Sequence, residues 1–542
     1  MRKNLIKKCS VALAALLGAV ALVSCGGENT VQKNNAGKNA HVVTEAGTYP
    51  VLKEEYQGLT LSMMSQSHSA LSSNWAANEF FKHMEKLTGV KLNFDKVYDV
   101  ATYGEKFPLT FVDAKTMPDF FFKAQIPRDR ELKFGSQGFL IPLEDLIDEY
   151  APNLKKVMEE TPMVEKVITA ADGHIYALPT VHQSGEAYVA DGVFWINKKW
   201  CDNLGINPDE ITTIEKLREV LMRFKQEDAN GNGRTDDERP MYLAGAYELT
   251  YLYAAFGMNL LTWNVYVEND TVKMGAQEER FKTMLKYLNG MYEDGLINND
   301  YITTIKQTVW AEGRSNDNIG VFFDYSADAV AGDRAQDYVT LSALTSSAYT
   351  GEAFLAGRYG VDPGAFAISS NCEYPEVAMR WIDTLYDVEY SRWDTIGEEG
   401  VEWKWDDEEH TSWSYLMPTS EINSSRAIQM GGGLPGIELN YDGFMEKSSD
   451  PITRHSQVEL AKVRSKIKPG YPPVSLDEIT MRAISSTATS ISQYLGTLMG
   501  NVVMGVVDID AQWETVQRTL KSMGATKYVQ TLQKGYDAFM KN

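Results

Sequence analysis

The stretch Asp228–Glu238, reading DANGNGRTDDE, leaves its backbone few options. Oxygen-bearing side chains stand at Asp228, Asn230, Asn232 and Asp236, and Gly233 stands where a short metal loop turns most sharply. A hard cation such as calcium takes roughly six to eight oxygen ligands, and a loop of this length can wrap them round one centre. The spacing matches the first part of an EF-hand-like loop, with ligands at positions one, three, five and nine and Gly at six. The carbonyl of Arg234 falls at position seven, but position twelve is Arg239, where the usual bidentate Glu is absent. Asp237 or Glu238 must complete the shell. The expected ligands are Asp228, Asn230, Asn232, Asp236 and Asp237 through side chains and Arg234 through its carbonyl, holding a structural Ca2+. The bland alternative is an acidic, Asn-Gly-rich surface turn without metal.

With 542 residues, the chain exceeds a single core. Its 44% hydrophobic and 11% aromatic content fit packed domains rather than disorder. A formal net charge of -22 argues against nucleic acid or an anionic membrane surface as partner, because both need basic patches.

The N-terminus reads as an address. Arg2, Lys3, Lys7 and Lys8 precede an apolar run, Val11 to Val23, that is too short for a membrane span. It ends in Leu22-Val23-Ser24-Cys25, which resembles a bacterial lipobox. Residues 1–24 are then a lipoprotein signal peptide, Cys25 the lipidation site, and 25–55 a flexible tether. The alternative is an ordinary cleaved signal with a chance Cys. Cys201 and Cys372 are read as free buried thiols, and the seven His lack zinc spacing.

Order begins near Tyr56. Leu59, Leu61 and Met63 alternate as a strand, and Ala77, Phe80, Phe81, Met84 and Leu87 mark a helical face stopped by Gly89. Val90, Leu92 and Phe94 form the next strand, so the chain opens a parallel α/β sheet. Further strands are read at 193–197, 318–323 and 365–369. Thr212 and Glu215 make a capping box before a helix with Ile214, Leu217, Leu221 and Phe224 inward. Helices also span 281–292 and 374–386, and helices close the chain over 508–540. The segment 397–413, dense in Trp and carboxylates, reads as a loop.

Several phrases, in order, resemble the extracellular solute-binding lipoproteins of carbohydrate ABC importers, in particular the alginate- and oligosaccharide-binding members. They are Met117-Pro118-Asp119-Phe120-Phe121-Phe122, Asp172-Gly173-His174-Ile175-Tyr176-Ala177-Leu178-Pro179, Ile196-Asn197-Lys198-Lys199-Trp200, and Met291-Tyr292-Glu293-Asp294-Gly295-Leu296-Ile297. The acidic loop is similar to that family's structural calcium loop, which lies away from the sugar. The resemblance implies a two-lobed α/β fold of the periplasmic-binding-protein type II, with the ligand cleft between lobes. It implies an N-terminal lobe of 56–182 and 326–415 and a C-terminal lobe of 183–325 and 416–542. Crossovers are expected near 178–190 and 322–326, with a later return after Trp413.

The implied function is capture of a carbohydrate, an oligosaccharide, outside the cell for an ABC importer. The implied partners are the permease subunits and, through the lipid, the outer face of the cytoplasmic membrane; a monomer without catalytic chemistry is expected. The rivals are a secreted glycan-active enzyme using paired carboxylates among Glu398, Glu399, Asp406 and Asp407, or a lipoprotein binding peptides or another non-sugar ligand. Sugars offer apolar C–H faces and rings of hydroxyls, so their sites combine flat aromatics with fixed polar groups. The stacking candidates are Trp75, Trp263, Trp310, Tyr325, Trp403 and Trp405; the polar candidates are His68, Gln125, Asp324 and Arg358. Trp200, Trp381 and Trp513 are assigned to packing.

Overall fold

Three consecutive phenylalanines, Phe120–Phe122, are all fully buried, which a strand permits only when both faces of its sheet are covered. Phe120 and Phe122 enter one core with Phe80, Met84 and Trp381, while Phe121 points to the other face with Phe107 and Phe111. The chain, described here by a computed structural model over residues 37–67, 74–182, 188–419, 421–422 and 433–541, builds a six-stranded sheet round this run. The order across it is Gly436–Ile437, Leu178–Val181, Val361–Ile368, Phe120–Phe122, Thr60–Ser67 and Lys91–Asp99. Thr60–Ser67 is parallel to both neighbours, whereas Val361–Ile368 runs antiparallel to Phe120–Phe122 and Leu178–Val181. The helix Glu79–Thr88 begins with the Asn78 side chain accepting from the Phe80 N–H and ends at Gly89 in the left-handed region, as its pattern implies.

A second sheet has four strands in the order Tyr338–Thr340, Val193–Asn197, Ile319–Asp324 and Arg239–Met241. One face packs on the largest core, where Ile196, Leu217, Leu221 and Val321 meet the helices Ile214–Gln226, Glu279–Glu293 and Glu478–Val503. The other face covers Trp195, Phe322, Val330 and Tyr338. The cap of Ile214–Gln226 is Thr213, one residue after the expected Thr212; Glu215 instead accepts from the Ser347 N–H.

Two strands carry the chain between these sheets. Tyr188–Val189 leads from Leu178–Val181 into the second sheet, and Leu355–Tyr359 leads from the second back to Val361–Ile368. They pair antiparallel, Arg358 opposite Val189, and Ile467–Pro469 adds a third strand alongside Leu355–Tyr359. The return to the first sheet comes later than the expected 322–326. Ala327, Val330 and Ala335 pack in the second sheet's core, and Tyr338–Thr340 pairs with Val193–Asn197. Beyond residue 415 the chain still serves the first sheet, because Gly436–Ile437 pairs with Leu178–Val181. Strands of two or three residues carry no periodicity, so their sheet cannot be read from the pattern. The segment 397–413 is not all loop either: Trp403–Trp405 and Trp413–Tyr415 form a hairpin on a satellite core with Ile396 and Phe444.

Val361–Ile368 has an irregular register between Asp362 and Phe366, and Gly364 within it has φ +79. Its carbonyl accepts from the Ile126 N–H at 2.9 Å, and an added Cβ would lie 2.2 Å from the Ile126 carbonyl oxygen. Gly364→Ala should therefore combine left-handed strain with a backbone clash and destabilise by about 2–3 kcal/mol. Urea unfolding measures it, and an unchanged midpoint would contradict the geometry.

Candidate functional site

The strand directions of the first sheet bring one set of strand ends to a single edge. Thr60–Ser67 and Phe120–Phe122 end there, Val361–Ile368 begins there, and Leu178–Val181 and Gly436–Ile437 end there. The residues delivered are Gln66, Lys123, Gln125, Asp362, His182 and Glu438. In open α/β sheets this edge is where ligands bind. Gln66 donates through Nε2 to the Lys123 carbonyl at 2.8 Å and to Gln125 Oε1 at 3.1 Å. Lys123 and Gln125 both have positive φ, 51° and 47°. Non-glycine residues held there mark a backbone constrained by its surroundings, as at ligand sites. Burial lowers the Lys123 ammonium pKa, against the pull of Asp394, and burial raises the Asp394 carboxyl. Gln125, Arg128, Asp362 and Gly433 line a cavity of about 310 Å³.

The second sheet offers the matching edge, where Ile319–Asp324 ends and Val193–Asn197 begins. Asp324 is buried: it accepts from Trp310 Nε1 at 2.8 Å, from Lys306 Nζ at 3.2 Å and from the Tyr325 N–H at 2.8 Å. Lys306 also reaches the buried Glu248 at 2.7 Å. Asp191, just before Val193, accepts from the Tyr247 hydroxyl at 3.0 Å and the Tyr251 hydroxyl at 3.2 Å.

Arg358, on a crossing strand, joins the two edges. Its Nε donates to Asp191 Oδ1 at 2.7 Å and its guanidinium also pairs with Asp362. His182 lies between two carboxylates, Nε2 at 2.8 Å from Asp362 and Nδ1 at 2.8 Å from Glu438. Burial opposes the charge on this imidazole, but Glu438 and Asp362 outweigh it and raise its pKa from 6.5 to about 9. Tyr325 is 61% accessible, yet its phenol is held up at about 12, first by surrounding protein and then by Asp191, with Glu438 adding and Arg358 opposing. Tyr325 thus stands largely open to water, near charged groups of both edges.

Several expected platforms lie elsewhere. Trp75 is 1% exposed and stacks on Phe81 in the core. Trp403 is also buried, its Nε1 donating to the Gly397 carbonyl in the satellite core. Trp405, partly buried beside it, has one face covered by His410 at 4.4 Å. Large aromatics gain most from burial, and the hairpin supplies its own small core for them. Trp263 is half-buried with φ 59, its carbonyl accepting from Tyr528. Of the six, Trp310 and Tyr325 stand at the edge just built, with the polar candidates Gln125, Asp324 and Arg358. His68 lies outside the described residues, as does Cys25. His182, Asp191, Asp362 and Glu438 escaped the sequence reading; their signal is only that each stands within two residues of a strand end, which requires the strand order.

The acidic loop turns as its glycines imply, with φ 74 at Gly231 and 87 at Gly233. Asp228 accepts from the Asn232 and Gly233 N–H groups, and Asn232 Oδ1 accepts from the Arg234 N–H. Asp236 does not turn inward: it is exposed and pairs with the Arg234 side chain at 3.0 Å. Buried oxygens of Asp237 and Glu238 have no hydrogen-bond donor, and burial raises the Glu238 carboxyl. Orphaned carboxylate oxygens among amide oxygens fit a hard cation. No cluster of three or more His, Cys, Asp or Glu side chains among the described residues forms a metal site by itself. A calcium shell here would therefore rest on amide and carbonyl oxygens too.

No family model matches the chain. It is 25% identical to the fructooligosaccharide ABC transporter substrate-binding protein FusA of Streptococcus pneumoniae, with both chains covered in full, and is homologous to it. It is 24% identical to lipoprotein LipO of Bacillus subtilis over 46% of this chain and 47% of that one. FusA in complex with kestose superposes with a TM-score of 0.73 at 24% identity over 89% of this chain and all of FusA, and an EF-hand mutant of FusA with fructo-nystose gives the same values. The alginate-binding protein AlgQ2, solved without calcium ion, superposes at 0.67 and 22% identity over 91% of this chain and all of AlgQ2. The fold is thus the two-lobed α/β fold of solute-binding proteins.

The charged cluster predicts a pH dependence. Because the His182 pKa is raised on folding, its contribution is complete below pH 6.5 and is lost as pH rises through about 9. Stability should fall across that window by on the order of 1–3 kcal/mol, and His182→Gln should flatten that part of the profile. Denaturant titrations at stepped pH check this; an equal slope in the variant would contradict it.

Proposed function

We propose that this chain, homologous along its whole length to a transporter substrate-binding protein, captures an oligosaccharide and delivers it to an ABC importer without altering it. The crevice between the two sheet edges carries this reading, because both edges present strand ends to the same space and Arg358 spans them. The two sheets with their helices act as lobes, and the paired strands Tyr188–Val189 and Leu355–Tyr359 act as the hinge. Tyr325 and Trp310 supply aromatic surface, and Gln125, Asp362 and Glu438 supply polar groups for hydroxyls. Anchoring at Cys25 on the outer face of the cytoplasmic membrane is supported by the lipobox and by likeness to a lipoprotein. Among the described residues no helix is long and apolar enough to cross a membrane. The carboxylate-rich hairpin gives little to the enzyme alternative: Asp406 is engaged by Ser412 and Ser414, and Asp407 by Thr411.

Calorimetric titration with neutral oligosaccharides of three to five sugars tests the reading. Binding should be one-to-one, the sugar should be recovered intact, and Tyr325→Ala should weaken it by about 1–3 kcal/mol if the lost contact resembles ordinary apolar burial. Cleavage of the sugar, or affinity unmoved by the variant, would contradict it.

The acidic loop is proposed to hold a structural calcium through Asp228, Asn230, Asn232, the Arg234 carbonyl, Asp237 and Glu238, with Asp236 outside direct contact. A cation bound only by the folded loop stabilises it by mass action. Chelator should lower the melting temperature, and Glu238→Gln should shrink that shift. A melting curve indifferent to chelator would exclude the metal.

A further inference from the structure

Because the described cations at the two sheet edges are held by carboxylates or carbonyls or are buried, we infer that the site selects uncharged oligosaccharides and rejects uronate or otherwise anionic glycans. The inference rests on the carbohydrate reading above and narrows it to a class. A site for an acidic sugar needs a cation whose donors are free to meet a carboxylate, preferably in bidentate fashion. Among the described residues, the guanidinium and ammonium groups of these edges are engaged by carboxylates or carbonyls, or are buried. Arg358 is divided between Asp191 and Asp362. Lys306 is held by Glu248, Asp324 and the Phe323 carbonyl at 2.6 Å. Arg128, on the wall of the cavity beside Gln125, pairs with the buried Glu131 at 2.7 Å and donates to the Ile168 and Thr169 carbonyls. Lys123 is 1% exposed. His182 spends both ring nitrogens on Asp362 and Glu438.

The balance of charge points the same way. At the bridge, Arg358 and His182 face three carboxylates, Asp191, Asp362 and Glu438; at the second edge, Lys306 faces two, Glu248 and Asp324. An anion entering the crevice would meet an excess of negative charge. Drawing Arg358 towards it would leave Asp191 or Asp362 stranded, and breaking such a pair costs far more than the pair itself contributes. Sugar hydroxyls meet the opposite situation. The Asp362 and Glu438 side chains are 38% and 39% exposed, and an ionised carboxylate has about four acceptor sites. Their remaining lone pairs can accept from hydroxyls, while Tyr325 offers a ring face.

The test is competitive calorimetry on the full chain with two matched sets. The neutral set is kestose, cellotriose, xylotriose and mannotriose; the anionic set is trigalacturonate and trimannuronate. The expected result is that the tightest ligand is neutral and that both uronates bind at least about 100-fold more weakly, a gap of about 2.7 kcal/mol. Asp362→Asn, which removes one carboxylate and frees part of Arg358, should narrow that gap. A uronate binding as tightly as the best neutral trisaccharide would overturn the inference and leave the carbohydrate reading intact. Binding of no sugar by the folded chain, with a non-sugar ligand retained instead, would overturn the reading and the inference together. A gap unchanged in Asp362→Asn would show that the discrimination has another source and would overturn the mechanism given for it.

Discussion

The antiparallel pairing of Tyr188–Val189 with Leu355–Tyr359 is the constraint on which the rest depends. These short strands run in opposite directions between the same two sheets, so their hydrogen bonds fix where one sheet's edge stands relative to the other. Arg358 extends that pairing into side chains: one residue on a crossing strand reaches Asp191 before the second sheet and Asp362 at the start of the returning strand. A guanidinium suits the task because its donors fan out in a fixed plane. The connection is polar and partly exposed, open to water and ligand, whereas the cores beside it are built of buried apolar side chains. A hinge placed there can move without disturbing either core.

The aromatic residues divide according to the same logic. Phe120–Phe122, Trp75 and Trp381 are buried in the first sheet's two cores, where each gains its full transfer energy. Trp403 and Trp413 build a separate, small core under the acidic hairpin. What stays open at the sheet edges is Tyr325, with Tyr247 beside it, whose hydroxyl is held by Asp191. The acidic loop lies on the far end of the helix Ile214–Gln226, continuous with the second core through the buried Ala229, which suits a structural rather than a ligand-binding role.

The sequence made the long periodic elements legible, because burial on one face leaves a 2- or 3.6-residue signature. The helix Glu79–Thr88 with its Gly89 stop and the helix Glu279–Glu293 fall where their patterns place them. The resemblance supplied the two-lobed fold. The two-residue strand Gly436–Ile437 and the three-residue strand Tyr338–Thr340 were illegible, since neither is long enough to show a period, and with them went the crossover points. The site was legible only in part. Tyr325 is legible because it follows the strand read before it, whereas Trp75, which follows the first strand's end in the same way, packs in the core, and Trp403 in the acidic segment packs in the hairpin's own core. Asp362 and Glu438 join His182 and Asp191 across well over a hundred residues of sequence, and only the sheet order makes them one group.

Hydrogen exchange with and without a bound neutral oligosaccharide tests this account most directly. The account predicts slowed exchange at the two edges and the bridge, over 123–126, 188–193, 324–326 and 357–362, with the hairpin 403–415 and the loop 228–238 unchanged. Protection centred on the hairpin or the loop, with both edges exchanging as before, would contradict it.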